Sequence, residues 1–366
     1  MNNHVTTLEI NGSALLHNLT YFKQKLQPET KILAVVKAFA YGSDGVKVAK
    51  FLQDKVDYFA VAYASEGIAL RMAKIKTPIL VLHPQIPNLQ SIIEYKLEPN
   101  LYNFKIFDAF LQLADALPLL KYPIHIKFNT GLNRLGFLQT DIPKISASLK
   151  KTNAVFVASI FSHLAASEDL QEKDFTYKQI DTFTKISSTF QEHLSYQPIL
   201  HILNTSGVVN YAKAQFNMVR IGIGLYGFGN DKKETSQLKN THNLKSIISQ
   251  IHQIEPGESV GYNRAFTAKN KVTTATIPVG HADGLPRKLG SNNGYVLINN
   301  QKALIIGNVC MDMIMVDVTI IDCNEGDEVV IFNHQEMIHN IATAAETIVY
   351  EVLTGVSHRV KKVILE

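Results

Sequence analysis

The sequence predicts an α/β protein, an N-terminal (β/α)8 barrel of the TIM type followed by a C-terminal mainly-β domain. Three observations carry that expectation. Between residues 31 and about 227, eight short apolar runs alternate with amphipathic segments. Several runs are apolar at successive positions, as suits strands buried on both faces of a parallel sheet. After about residue 235 the pattern changes to short strands broken by turn-forming residues. A length of 366 residues also exceeds the usual single domain.

Taken in order, "TTLEI" can add a strand to the second domain before the barrel begins, which sets 1–12 apart. A helix follows, capped near Ser13, with Leu15, Leu16, Leu19 and Phe22 on one side. The barrel spans 13–235, with strands in "KILAVVKA", "YFAVAY", "PILVLHP", "EPNLYN", "IHIKFNT", "VFVASIFSH", "ILHILNTS" and "MVRIGIGLYG". Between them, "SEGIALRMAK" and "KQIDTFTKISSTF" have helical apolar spacing. An open doubly wound sheet would usually carry a Gly-rich fingerprint after its first strand, and "VVKAFAYGSDG" is not one. "KETSQLKNTHN" reads as a linker. The β-domain, 236–366, has strands in "KSIISQIHQI", "KVTTATIPVG", "GYVLINN", "QKALIIGN", "MIMVDVT" and "DEVVIFN", then a helix in "MIHNIATAAETI" and a last strand in "RVKKVILE".

Composition excludes several classes. A net charge of +4, spread along the chain, does not argue for nucleic acid. Two cysteines, Cys310 and Cys323, make no disulfide framework and suit reduced thiols in a cytoplasm. The opening "MNNHVTTLEING" has neither the basic nor the apolar part of a signal peptide. No apolar run approaches the ~20 residues of a membrane span. A soluble cytoplasmic protein is expected. "NHQEMIH" places His334 and His339 in a loop-like stretch without metal-ligand spacing, so no metal is expected.

In such a barrel, functional groups sit where strands end and βα loops begin. Those ends offer Lys37 and Tyr41 after the first strand, Arg134 after the fifth and His163 after the sixth. The seventh gives Asn204, Thr205 and Ser206, and the eighth gives Arg220 followed by "IGIG". A lone lysine after a strand is usually a solvated surface group. Several cations meeting small hydroxyl and glycine groups at one mouth point to an anionic ligand. A lysine desolvated beside other cations has a lowered pKa, which suits Schiff-base chemistry. Glycines and hydroxyls after strands seven and eight are the usual barrel site for a phosphate.

These residues stand in segments that resemble the alanine racemases, enzymes of pyridoxal phosphate fold type III. The resemblance runs nearly the full length, through "VVKAFAYGSDG", "HIKFNTGLNRLGF", "SIFSHLAASED", "HILNTSG", "MVRIGIGLYG", "GESVGYNRAFTA", "IPVGHADGLPR", "GNVCMDMIMVDVT" and "YEVLTGVSHRV". It implies isomerisation of alanine between its L and D forms, feeding D-alanine to peptidoglycan in the bacterial cell wall. Lys37 would hold pyridoxal 5'-phosphate as an imine and act as one acid–base group. Tyr262 would act from the opposite face of the substrate, because racemisation needs the proton to leave one side of Cα and return on the other. A phenol of ordinary pKa ~10 needs help to be a base, and a chain from Tyr262 through His163 to Arg220 would give it. Arg220 would face the cofactor's ring nitrogen. Tyr41, Thr205, Gly222, Ile223 and Tyr350 match phosphate-binding positions, with Asn204 beside them. Arg134 and Met311 would meet the substrate. Tyr262 and Met311 would come from the neighbouring subunit, which implies a homodimer with shared active sites.

The chain departs from the family at several places. The family's lysine segment reads Lys-Ala-Asn-Ala-Tyr-Gly-His-Gly; here Phe39 replaces the asparagine and "YGSDG" carries one extra residue. Asn129 stands for the usual aspartate and Leu132 for a methionine, and His281 and Leu285 replace tyrosines of the access corridor. In many relatives the lysine matching Lys127 is carbamylated and orients the arginine matching Arg134. Two alternatives are a racemase of broader specificity, for instance for serine, and a pyridoxal phosphate-binding protein without catalysis, which the second domain disfavours.

Overall fold

The computed structural model describes residues 5–117 and 119–365. Strand β1 (Thr7–Asn11) leads directly into the helix Gly12–Lys23. The cap is Asn11 rather than Ser13: its side-chain oxygen accepts from the Ala14 backbone N–H at 2.9 Å. Asparagine does this well because its short amide reaches the unpaired donors of the first turn.

The eight expected barrel runs all become strands: β2 (Lys31–Val35), β3 (Tyr58–Val61), β4 (Ile79–Val81), β5 (Glu98–Leu101), β6 (Tyr122–Lys127), β7 (Val155–Phe161), β8 (Ile199–His201) and β9 (Met218–Ile221). They pair in parallel in the order β8-β7-β6-β5-β4-β3-β2-β9. Two bonds, each from one of these strands to a residue beside the other, draw β8 and β9 together: Asn217 N donates to Leu200 O at 3.1 Å and Arg220 N to Leu203 O at 3.0 Å. Burial on both faces explains the unbroken apolar runs, and Ile79, Leu80 and Val81 are all fully covered. The helix Lys173–Gln191 turns Ile180, Phe183, Ile186 and Phe190 inward at spacings of three and four. Fully burying each such aromatic or aliphatic chain contributes roughly 1.5–3 kcal/mol.

The second unit is a sheet of order β11-β14-β17-β16-β15-β18-β10-β1-β19. Its strands are β10 (His242–Ile247), β11 (Gln250–Ile254), β14 (Val272–Ile277), β15 (Tyr295–Ile298), β16 (Gln301–Ile306), β17 (Ile314–Asp317), β18 (Glu328–Phe332) and β19 (Lys361–Leu365), while β12 (Ser259–Val260) and β13 (Phe266–Thr267) form a separate hairpin. β1 pairs antiparallel with β10 and parallel with β19, so the first and last strands share this sheet. "KSIISQIHQI", read as one run, is two strands that part at Ile248–Ser249. The stretch "NHQEMIH" is helical rather than loop-like: His334 caps the helix Gln335–Ala344, accepting on Nδ1 from Met337 N at 3.4 Å. A further helix, Val349–Thr354, carries Tyr350 to the barrel mouth. Among the described residues no helix is long and apolar enough to cross a membrane.

Candidate active site

Directly after β2, the chain passes Lys37 and winds through a left-handed turn. Ala38, Phe39, Ala40 and Tyr41 have φ of 51°, 54°, 55° and 55°. Each such conformation costs a non-glycine residue roughly 1–2 kcal/mol, so four in a row need support. Ala38 N donates to Glu66 Oε1 at 2.7 Å and Ala40 N to Val36 O at 2.9 Å. Gly42 closes the turn at φ 78°, where a Cβ would lie 1.8 Å from Leu353 O, so no other residue fits. The turn swings the Tyr41 hydroxyl back against Gly222, whose own Cβ would sit 2.4 Å from it. Phe39 points away from the cavity, its ring against His358. The extra residue of "YGSDG" is accommodated by two anchors. Ser43 Oγ bonds His242 Nε2 at 2.7 Å, and Asp44 caps the helix Gly45–Leu52 through Lys47 N at 3.0 Å.

The strand ends enclose a cavity of about 560 Å³. Lys37, Tyr41, Arg134, His163, Asn204, Thr205, Arg220, Gly222, Ile223 and Tyr350 all line it. So do Lys127 and three residues with no part in the sequence reading of the site: Tyr63 and His83, just beyond β3 and β4, and Phe161 at the end of β7. Their position at or just past a strand end is the available signal.

The cavity is cationic. Among the described residues no carboxylate lies within ion-pair distance of Lys37, Lys127, Arg134 or Arg220. Burial, then the Arg134 charge, pushes the Lys37 amine below its usual pKa, with Glu66 opposing. Burial and then the charges of Arg134, Arg220 and Lys37 push Lys127 down to about 8. Burial pushes Arg220 down to about 9, still a cation at neutral pH.

Arg220 is fixed by its terminal nitrogens. Nη1 donates to His201 Nδ1 at 2.8 Å. Nη2 donates to Ser162 O at 2.8 Å, Ile202 O at 2.9 Å and His163 Nδ1 at 3.0 Å. Among the described residues none of its hydrogen bonds uses Nε, which is left as the uncommitted donor. A guanidinium only donates, so both histidines accept on Nδ1 and carry their proton on Nε2. Burial first, and Arg220 second, hold both imidazoles well below their usual pKa, hence neutral.

Elsewhere on the cavity wall, Thr205 Oγ1 accepts from Gly222 N at 3.1 Å and Gly224 N at 3.3 Å, which leaves its own O–H to donate. Burial raises the pKa of the Tyr41 hydroxyl and takes Tyr350 to about 12, so both stay protonated donors. Asn204 acts one step back: its Oδ1 accepts from Gly207 N at 2.9 Å and Ser167 Oγ at 2.8 Å, capping the helix Thr205–Asn210.

Tyr262 and Met311 do not line this cavity. Tyr262 stands 71% exposed between β12 and β13, and Met311 is 59% exposed between β16 and β17. Asn308 Nδ2 donates to Tyr262 O at 3.1 Å, tying the hairpin tip to the Met311 loop.

A family model for the alanine racemase N-terminal domain matches residues 10–229, and one for the C-terminal domain matches 241–364. An alanine racemase of Fusobacterium nucleatum is 36% identical, over 98% of this chain and 99% of that protein. The solved alanine racemase of Clostridium difficile 630 superposes with a TM-score of 0.94 at 34% identity, covering 100% of this chain and 96% of that one. That of Bartonella henselae, solved with covalently bound pyridoxal phosphate, gives 0.87 at 28% identity, covering 99% and 100%. The chain belongs to the alanine racemase family of enzymes.

Proposed function

We propose that this protein interconverts L- and D-alanine with pyridoxal phosphate, by two bases on opposite faces of the substrate, and so supplies D-alanine for peptidoglycan in the cytoplasm. The observation that supports this best is the donor set that lines one cavity: Tyr41, Thr205 and Tyr350 with Gly222, and 4%-exposed Arg220, whose Nε takes no part in its hydrogen bonds among the described residues. A group with a phosphate at one end and an aromatic nitrogen at the other fits that donor set, with Gly222 and Ile223 lining the phosphate pole and Asn204 holding the helix beside it. Lys37, whose amine is depressed, is the residue to hold it covalently. When bound, the cofactor makes the hydrogen on the amino acid's Cα acidic.

Lys37 then moves a proton on one face of Cα. Tyr262 of the partner subunit moves one on the other, in a homodimer that completes each cavity with the partner's Tyr262 and Met311. The neutral His163 offers Nε2–H to the tyrosine oxygen, which favours the phenolate, and Arg220 holds His163 in that tautomer. Arg134 meets the substrate carboxylate. In this reading the chain divides into 1–12, a 13–235 barrel and a 236–366 domain that serves the partner's site.

The test is an absorbance spectrum and a racemisation assay on the purified protein. An imine band that disappears in Lys37→Ala, with turnover of L-alanine to D-alanine, is expected. No band, or turnover of serine far above alanine, would contradict the proposal.

A further inference from the structure

The barrel interior holds a line of buried polar groups behind Arg220. His201 accepts from Arg220 on Nδ1, and its Nε2 lies 2.9 Å from Ser159 Oγ. Ser159 Oγ lies 2.6 Å from His125 Nδ1, and His125 Nε2 lies 2.8 Å from Glu98 Oε2. The four groups come from β5, β6, β7 and β8, with His125 and Ser159 in direct register across β6 and β7. His125, Ser159 and His201 have no exposure, and Glu98 has 8%.

The two ends set the direction. Arg220 can only donate, so His201 carries its proton on Nε2 and gives it to Ser159 Oγ. The Ser159 hydroxyl has His125 Nδ1 as its remaining partner and donates there. His125 then keeps its proton on Nε2 and donates to the Glu98 carboxylate, which only accepts. Every donor meets one acceptor, from a buried cation to a buried anion. Such a chain is costly when half-satisfied and orienting when complete.

Glu98 opens β5, so it lies at the N-terminal end of the barrel, whereas the cavity lies at the C-terminal end. Around Glu98 stand Tyr58, Tyr122 and Arg71. Arg71 spends its donors on the carbonyls of Ile75, Thr77, Tyr95 and Lys96, and the Tyr122 hydroxyl donates to Leu97 O at 2.6 Å. The bond from His125 is thus the one that links this carboxylate to the catalytic end.

We propose that Glu98, His125 and Ser159 are positioning residues for the reaction: with His201 they form a one-way hydrogen-bond relay that holds the Arg220 guanidinium so that Nε faces the cavity. The proposal rests on the role given to Arg220 above. A polar plug that merely fills the barrel would affect stability and leave turnover alone.

The test combines two measurements on the full-length protein. Histidine ring-nitrogen NMR, without cofactor, is expected to find His125 and His201 each protonated on Nε2. In the holoenzyme, Ser159→Ala is expected to lower kcat for alanine about tenfold while KM stays within about twofold. Glu98→Gln, which can donate as well as accept, lowers kcat less, and the double variant is no slower than Ser159→Ala alone. His125 protonated on Nδ1 or on both nitrogens, an unchanged kcat in Ser159→Ala, or losses that multiply would each overturn the relay. If the wild-type holoenzyme does not racemise alanine, the functional reading fails, and the ring-nitrogen spectra alone still decide the relay.

Discussion

Arg220 donates from Nη2 to Nδ1 of His163 across 3.0 Å, and that bond decides which imidazole nitrogen meets the cavity. Because an arginine cannot accept, His163 is obliged to show Nε2–H to whatever stands opposite. In the proposed dimer, His163→Leu would remove the donor that faces the partner subunit's Tyr262, and with it the stabilisation of the phenolate. Turnover of L-alanine at neutral pH is expected to fall by about 100-fold, with the acidic limb of the kcat profile, where the phenolate is lost, moved to higher pH. A loss with no change in the pH profile would mean that His163 only packs.

Lys127 is a buried amine with no carboxylate in ion-pair distance among the described residues, held down to about 8. Its folded pKa lies below the unfolded value, so the unfolded chain binds more protons between about pH 8 and 10.5, and stability rises with pH in that window. In buffer free of bicarbonate, Lys127→Met is expected to unfold at a higher temperature at pH 7, worth up to about 3 kcal/mol. The advantage should vanish as pH approaches 10.5. Thermal melts of the two proteins across that range check it, and an advantage independent of pH would exclude the burial penalty as its cause.

Ser43, within the segment where the family has one residue fewer, binds the first residue of β10 through His242. His242 also accepts or donates at Thr241 Oγ1, 2.9 Å away, and its ring lies 6.0 Å from Tyr226, which packs 4.7 Å from Tyr41. Ser43→Ala leaves a buried imidazole nitrogen unpaired. We expect a loss of about 1–3 kcal/mol in denaturant unfolding. Pyridoxal phosphate affinity should weaken as well, measured by reconstituting the cofactor-free protein. Wild-type affinity in a destabilised variant would separate this anchor from the phosphate pole.

Burial holds three histidines neutral: His163 and His201 well below their usual pKa, and His242 at about 3. A folded pKa below the unfolded ~6.5 contributes stability that is present above pH 6.5 and lost as pH falls toward the folded value. The melting temperature should therefore drop steadily below pH 6.5. His242→Asn, though less stable at pH 7, should show a shallower acid slope. An equal slope in the variant would assign the acid lability elsewhere.

The fold was legible because parallel strands covered on both faces advertise themselves as unbroken apolar runs, of which "PILVLHP" is the plainest. The barrel-side cavity was legible because lysine, arginine, histidine and hydroxyls recur just after those runs. What stayed hidden has no local period. The β12–β13 hairpin has two residues per strand, below any alternation signal, and the left-handed turn at Ala38–Tyr41 contains no glycine until Gly42. The Glu98–His125–Ser159–His201 line depends on strand register, since its members are between 27 and 42 residues apart from neighbour to neighbour. The Asn11 and His334 caps have no distinguishing local signal: asparagine at 11 and serine at 13 are equally good caps, and histidine is an uncommon one.

The pairing of Lys37 from one subunit with Tyr262 from the other is tested most directly by mixing two inactive proteins. Lys37→Ala and Tyr262→Phe are purified separately under different tags, dissociated together and reassembled, and mixed dimers are isolated on both tags. Each variant alone is expected to be nearly inactive on L-alanine. A mixed dimer regains one intact cavity of two, so an equal mixture should recover about a quarter of wild-type activity, and isolated mixed dimers about half. Mixed dimers that form, bind cofactor and stay inactive would contradict the shared two-base site.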